Sequence, residues 1–425
     1  MPVVCAVVGK GGRELQSMIL MNEEVPVLEF SYDQDRHRVG ELLSLENPEW
    51  CPPSLVGPTG AITGADLDWW WSHRSLPASR VQVETLARSL DLDSFSELLE
   101  HNFALSLSDR YWVRPEGSDL EWSDVNFFDN AFSDRLGVLT LDPSSETNCS
   151  DIDGLDLMSP NSTAGGNVPK KWVIARDGTR MLVKAGTRLF DQDVYNEAVA
   201  TALYETVLGD GEYVSYEVVD RPEGAVCACP NFLADGEELV SAADLLRRHR
   251  LDHGYGTYPN CISAMAETGL PLGLLSERMS CLFCLDALMT NSDRHTGNFG
   301  LIRDCRTLEY KGFAPFYDCG CSLWCDRRSL SSPSDYSYSP RPFVGTPSES
   351  PWRQLRLFDD YGWVPGDWDL GGWVDDARDI LSANPLLPDA RLEAIVRGIE
   401  LNVDNFARHI EAMDAISRND VPRRR

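Results

Sequence analysis

The run Met279–Met289 (MSCLFCLDALM) is apolar on nearly every side, and Asp286 is its only charge. A helix with no polar face has no place at a surface, so this one belongs inside a core that other elements enclose. From Ser241 onward helical patterning dominates. Leu392, Ile395, Ile399, Val403, Phe406, Ile410 and Met413 recur every three or four residues and mark one long amphipathic helix near the end.

Upstream the texture differs. Lys171–Ala175 and Arg180–Lys184 are strand-like and flank Asp177-Gly178, a strong hairpin signal. Asp191–Leu208 predicts an amphipathic helix with Val194, Ala198, Ala202 and Leu203 on one face, and Tyr213–Val219 and Ala225–Leu233 predict further strands. Nearer the start, Val3–Val8 and Val27–Tyr32 read as strands, and Ser79–Ser89 and Ser94–His101 as helices. Trp69-Trp70-Trp71 reads as a core anchor. Asp142–Gly166 is dense in Asp, Ser, Pro, Asn and Gly, a linker composition that sets a boundary. Ser329–Pro351, rich in Ser, Pro and Tyr, reads as a mobile segment. The expected organisation is an amino-terminal extension over 1–150, a small mixed unit over 151–235 and a helical unit over 236–425. A length of 425 residues suits two to three domains or one two-lobed unit.

Charge narrows the function. With 38 Lys+Arg against 67 Asp+Glu the formal net charge is −29, which disfavours direct binding to nucleic acid or to an anionic membrane. No apolar run approaches the roughly 20 residues of a membrane span. The stretch Met1–Gly12 is too short and glycine-rich for a signal peptide, so a cytoplasmic location with reduced thiols is expected. Cys319, Cys321 and Cys325 match no common zinc spacing. No P-loop, His-Glu-x-x-His or Gly-x-Ser-x-Gly string occurs.

Asn291-Ser292-Asp293-Arg294-His295-Thr296-Gly297-Asn298-Phe299-Gly300 directly follows the buried helix, with an acid at 293 and an amide five residues later at 298. That pairing suits phosphoryl transfer, where a carboxylate accepts the proton of an incoming hydroxyl and an amide oxygen binds magnesium. Asp318 closes an apolar run 25 residues after Asp293, far enough for a hairpin to return it beside Asn298 as a second oxygen ligand. Lys184 ends a strand, and Glu197 follows thirteen residues later on a helix, a Lys–Glu arrangement that kinases use on nucleotide phosphates. Ser162–Asn167, with Thr163, Gly165 and Gly166, can offer backbone N–H groups to phosphates. The run Cys229–Leu233, including Asn231 and Phe232, can meet adenine through its backbone.

The run Asn291–Gly300, with Tyr317-Asp318-Cys319-Gly320-Cys321-Ser322-Leu323, resembles the carboxy-terminal signature of the HipA-like serine/threonine kinases. The Asp-Arg-His-x-x-Asn core also resembles the catalytic loop of phosphatidylinositol kinases. The resemblance spans about Ser159 to Met413 and implies an α/β (α+β), two-lobed kinase-like fold with a mainly helical C-lobe and an amino-terminal extension. It implies ATP and Mg²⁺, with Asp293 as base, His295 as catalytic-loop support, and Asn298 and Asp318 as metal ligands. Lys184 would be the nucleotide lysine, and the Thr163–Lys170 loop the phosphate cover. Some members are toxins of toxin–antitoxin pairs and silence themselves by phosphorylating this loop. The resemblance thus implies an antitoxin-like partner, a Ser/Thr acceptor protein, and an accessible loop at Ser159, Ser162 and Thr163. Residues 1–150 match the usual amino-terminal subdomain poorly. A nucleotide-binding pseudokinase acting as an interaction module, and a lipid or small-molecule kinase, remain alternatives.

Overall fold

The computed structural model describes residues 6–8, 14–76, 95–141, 155–166, 168–249, 257–338, 341, 343, 354–357 and 368–419. The predicted Ser79–Ser89 helix and the 142–154 part of the expected linker lie outside them. The fold is α+β, with antiparallel sheets and, among the described residues, ten α-helices. The chain divides into two compact units, one of residues 1–185, 228–250 and 302–310, the other of residues 186–227, 251–301 and 311–425.

In the first unit, strands β1 (Ala6–Val8), β2 (Glu14–Asn22), β3 (Val25–Asp33) and β4 (Arg38–Leu45) pair in chain order. Strand β5 (Tyr111–Pro115) adds to β2, with Leu20 opposite Val113. Helix α1 (Gly64–Arg74) starts at a capping box of Thr63 and Asp66, so two of its orphan N–H groups are satisfied. It buries Leu67, Trp70 and Trp71 in a core with Leu20, Leu28, Phe30 and Tyr32, as expected of the tryptophan cluster. Short helices α2 (Leu98–His101), α3 (Trp122–Val125) and α4 (Arg135–Leu141) follow in sequence, the last packing on residues 170–174 and on the turn at 160–163. Strands β6 (Lys170–Ile174) and β7 (Arg180–Ala185) form the expected hairpin, with Ile174 opposite Arg180 and Lys170 opposite Lys184. Gly178 takes φ +91°, a conformation that favours glycine and fixes this register.

In the second unit, α5 (Gln192–Val207) fills the predicted helix, but its environment differs from a one-faced amphipathic helix. Gln192, Asp193, Asn196 and Glu197 are all buried. Their polar groups are satisfied there: Gln192 Nε2 donates to the Leu323 carbonyl at 2.9 Å, and Asn196 Nδ2 to the Gly320 and Ser322 carbonyls at 2.9 and 2.7 Å. This unit also holds β8 (Glu217–Val219); the chain then passes through β9 (Val226–Pro230), most of which belongs to the first unit, as do β10 (Glu237–Ser241) and α6 (Ala242–Arg248), and returns to the second unit at α7 (Tyr258–Ala266) and α8 (Leu272–Met289). Every residue of α8 from Met279 to Met289 is buried, as its composition requires. Helices α9 (Leu370–Ser382) and α10 (Asp389–Asn419) pack on α5 and α8 respectively, and Trp373 Nε1 donates to the Val199 carbonyl at 3.1 Å. Strands β11 (Gly300–Asp304) and β12 (Tyr310–Phe313) complete the list. The Ser/Pro/Tyr-rich segment is described only over 329–338, 341 and 343. Its Tyr338 and Phe343 are buried, and the Phe343 ring lies 5.2 Å from Phe283 of α8.

Candidate active site

The charged residue inside α8 organises the second unit's site. Asp286 is 4% exposed and Arg294 is fully buried. Arg294 grips the carboxylate with a two-pronged fork, Nε to Oδ2 at 2.8 Å and Nη2 to Oδ1 at 3.0 Å. Burial alone would lower the Arg294 pKa, but the Asp286 carboxylate outweighs it and holds the guanidinium charged. The same side chain reaches two loops, donating to the Asn298 and Tyr317 carbonyls at 2.7 Å each and to Cys319 Sγ at 3.0 Å.

The turn after α8 is set by local bonds. Thr290 caps the helix in the left-handed region at φ 51°. Asn291 Nδ2 donates to Asp286 Oδ1 at 2.9 Å, while its Oδ1 accepts the Asp293 N–H at 3.0 Å, so Asp293 is hung from the buried pair. Asn298 is 8% exposed, and its amide nitrogen donates to the Asp293 carbonyl at 3.3 Å, which turns Oδ1 away from that bond. The facing loop carries Asp318 at φ 62°, left-handed for a residue with a side chain, as occurs where a functional group is aimed against local preference. Tyr317 Oη donates to the Gly297 carbonyl at 3.0 Å, and the Ser292 N–H and Oγ donate to the Cys321 carbonyl at 3.0 and 3.1 Å. Loops 291–298 and 317–321 are thereby stapled at three points, bringing together the segments that carry Asp293, Asn298 and Asp318.

Glu197 reaches this staple from α5, where its Oε2 accepts the Cys319 N–H at 2.9 Å. A Cβ on Gly320 would lie 3.1 Å from the Asp193 carbonyl and 3.5 Å from Glu197 Oε1, so a side chain there would crowd the approach. Asp293 itself is partly exposed, and its Oδ1 lies 3.2 Å from Arg341 Nη1. His295 is exposed, its Nδ1 accepting the Gly297 N–H at 3.1 Å. The buried cation of the loop is Arg294, a residue to which sequence reasoning gave no role. A signal existed: the one charge inside an all-apolar helix needs a counterion, and Arg294 is the first cation after Asp286. Among the described residues no group of three or more His, Cys, Asp and Glu is arranged to hold a metal. The two loops carry the Asp318 carboxylate and the Asn298 amide oxygen, hard oxygens of the kind magnesium takes alongside phosphate and water.

The remaining candidates lie in the first unit. Lys184 is 5% exposed and stands directly across from Lys170, so both stems share one face of the hairpin. A Cβ on Gly166, at φ +86°, would lie 2.8 Å from Lys170 Nζ. Gly165 and Thr163 instead line a cavity of about 260 Å³ together with Trp69, Trp70, Arg74 and Glu238. Asn231 is engaged within the protein, its N–H donating to the Arg180 carbonyl at 2.8 Å and Nδ2 to the Leu107 carbonyl at 3.0 Å. Phe232 is partly exposed beside it.

The serines of the loop expected to be accessible are packed away, while Thr163 is half-buried and only Gly165 and Gly166 are exposed among its described residues. Ser159, Asn161 and Ser162 are fully buried in a short 3₁₀ turn, Pro160–Thr163. Ser159 Oγ donates to the Ser133 carbonyl at 2.8 Å and Thr163 Oγ1 to the Leu105 carbonyl at 2.8 Å. These bonds correct the expectation, because a hydroxyl so engaged has no approach for a phosphoryl donor until the turn opens.

No family model matches the sequence, and no curated protein does. Among solved structures, the fold is similar to that of HipA in the Shewanella oneidensis MR-1 toxin–antitoxin complex of HipA, HipB and operator DNA. The identity is 12% and the TM-score 0.55, over 94% of this chain and 99% of that one. The Helicobacter pylori proinflammatory kinase CtkA aligns at 17% identity with a TM-score of 0.45, over 57% of this chain and 94% of its own. The HipA likeness establishes a kinase-like α+β fold. Among the described residues no helix is long and apolar enough to cross a membrane.

Proposed function

We propose that this chain is an ATP-dependent phosphotransferase, a HipA-like serine/threonine protein kinase. The observation that carries the reading is the stapling of loops 291–298 and 317–321 through Arg294, in a chain whose fold is similar to that of HipA. Asp293, partly exposed and held by its backbone, accepts the proton of an acceptor hydroxyl. Asn298 and Asp318 hold Mg²⁺, which when bound neutralises charge on the transferring phosphate. Lys184 and Lys170 hold nucleotide phosphates, with Gly166 leaving room for the Lys170 ammonium. Residues 151–235 would then serve the nucleotide, residues 236–425 the transfer, and residues 1–150 form an extension. His295 shapes the loop through Gly297, and an antitoxin-like protein is the natural partner class.

The ion pair between Arg341 and Asp293 does not favour the pseudokinase reading. Both groups are well exposed, and such surface pairs contribute roughly 0–1 kcal/mol, so an incoming acceptor displaces it readily. The deciding experiment is incubation with labelled ATP and Mg²⁺, wild type against Asp293→Ala, scoring transfer to the chain itself and to candidate proteins. Label transfer by the wild type that is lost in the variant supports the proposal. Equal transfer by both removes Asp293 as base, and binding of ATP without any transfer favours the pseudokinase.

A further inference from the structure

Cys321 differs from the other described cysteines. It alone among them is partly exposed, and the rest are buried. It lines a cavity of about 350 Å³ with Arg188, Asp293, Cys325, Arg327 and Arg341. Arg188 Nη2 donates to its sulfur at 3.3 Å. The segment that follows folds back sharply, with Leu323 and Trp324 at φ 49° and 56° and the Cys325 N–H donating to the Ser322 carbonyl at 3.1 Å. That turn returns the Cys325 thiol toward Cys321: its Sγ donates to the carbonyl of Gly320, the residue next to Cys321, at 3.7 Å, and both cysteines line the same cavity.

We propose that Cys321 and Cys325 form a covalent modification site, in which a peroxide-class oxidant attacked by Cys321 leaves a Cys321–Cys325 disulfide. The neighbouring Cys325 thiol and the Arg188 guanidinium, whose Nη2 lies 3.3 Å from the Cys321 sulfur, lower the Cys321 pKa and so favour its thiolate, the nucleophilic form. The Cys325 pKa is raised by its neighbour Cys321 and by burial, so this thiol keeps its proton. Burial pushes the thiols of Cys51, Cys261, Cys281, Cys305 and Cys319 up to about 12, which leaves them inert at the same pH.

The chemistry balances in two steps. The Cys321 thiolate attacks one oxygen of hydrogen peroxide, the O–O bond breaks, and a sulfenic acid and hydroxide result. The Cys325 sulfur then attacks the sulfenic sulfur: the S–S bond forms, the S–O bond breaks, and the departing hydroxide leaves as water with the Cys325 proton. The two sulfurs give up two electrons, which reduce the peroxide. The product removes the sulfur acceptor of Arg188 and constrains the segment whose Cys321 carbonyl anchors Ser292, next to Asp293.

The test uses the full chain with hydrogen peroxide, alkylation by iodoacetamide, proteolysis and peptide mass spectrometry, readouts that do not depend on phosphotransfer. Before oxidation, Cys321 should alkylate faster than any other described cysteine, and Arg188→Gln should slow it several-fold. After oxidation, the peptide holding both residues should be lighter by two hydrogens, resist alkylation, and recover with dithiothreitol. Cys325→Ser should stop the sequence at a sulfenic acid, captured by dimedone at Cys321. If Cys321 stays alkylatable after peroxide, or Cys325→Ser yields no dimedone adduct there, the assignment is overturned.

Discussion

Replacing Arg294 with methionine tests the centre of the structure. Methionine fills much of the same volume but supplies no charge and no donor, so the Asp286 carboxylate, 4% exposed, would lose both prongs of its fork. Removing one partner of a buried pair costs about 3–5 kcal/mol, because the other is left as an uncompensated charge. The Asn298 and Tyr317 carbonyls lose a donor as well, although each can recruit water as the loops part. A cost in that range moves the folding equilibrium by roughly two to four powers of ten. Guanidinium chloride denaturation followed by tryptophan fluorescence measures it, and phosphotransfer should fall with it because Asp293 and Asp318 lose their common staple. The double variant Asp286→Asn, Arg294→Met removes the orphaned charge and keeps a partner for Asn291, so it should recover most of the stability but not the activity. A single variant within about 1 kcal/mol of wild type would refute the charge-pairing account. So would a double variant as unstable as the single.

Lys184→Met retains the apolar stem of a buried side chain and deletes its charge; ATP-dependent transfer should drop sharply with the fold intact, and an unchanged KM for ATP would remove Lys184 from the nucleotide site. Asp318→Ala should abolish magnesium-dependent phosphotransfer while leaving the fold intact, since Asp318 is partly exposed and its loop is held by Tyr317 and Cys319; wild-type turnover would refute the metal assignment. Gly398→Ala in α10 would place a Cβ 2.5 Å from the Trp324 ring, so a loss of about 1–3 kcal/mol is expected in the same denaturation assay. Protein incubated with MgATP should show no phosphate on Ser159 or Ser162 by mass spectrometry while the fold is intact, because both are fully buried.

Local chemistry made several elements legible. The continuous apolar run of α8 could only be a buried helix, and Asp177-Gly178 fixed a hairpin whose register sets Lys170 against Lys184. The catalytic-loop candidates were readable because an acid, an amide and a second acid must occur in order and at workable spacing. The consequence of a lone charge inside that apolar run was also present in the sequence, yet it needed the burial of Asp286 to be taken as a debt that some cation must settle. Arg294 settles it, and in doing so joins the helix to both loops. A composition-based reading weighs residues one at a time, and so it passed over the side chain whose four partners are spread across three segments.

The turn at Ser159–Thr163 shows the opposite limit. Its residues are polar, and polarity beside glycines reads as a solvated loop. Asn161 is nonetheless fully buried because its side chain acts as a missing strand. Oδ1 accepts the Trp172 N–H at 2.7 Å and Nδ2 donates to the Trp172 carbonyl at 3.3 Å, covering an unpaired edge of β6 with a single amide. Neither partner is local to the turn, so no periodicity in the neighbouring sequence could announce the pairing. The hydroxyls of Ser159 and Ser162 are buried on either side of that contact, and Ser159 is held in addition by the Ser133 carbonyl. Any modification of them requires β6 to give up its edge partner first, and unpaired backbone N–H and C=O groups in β6 oppose that step.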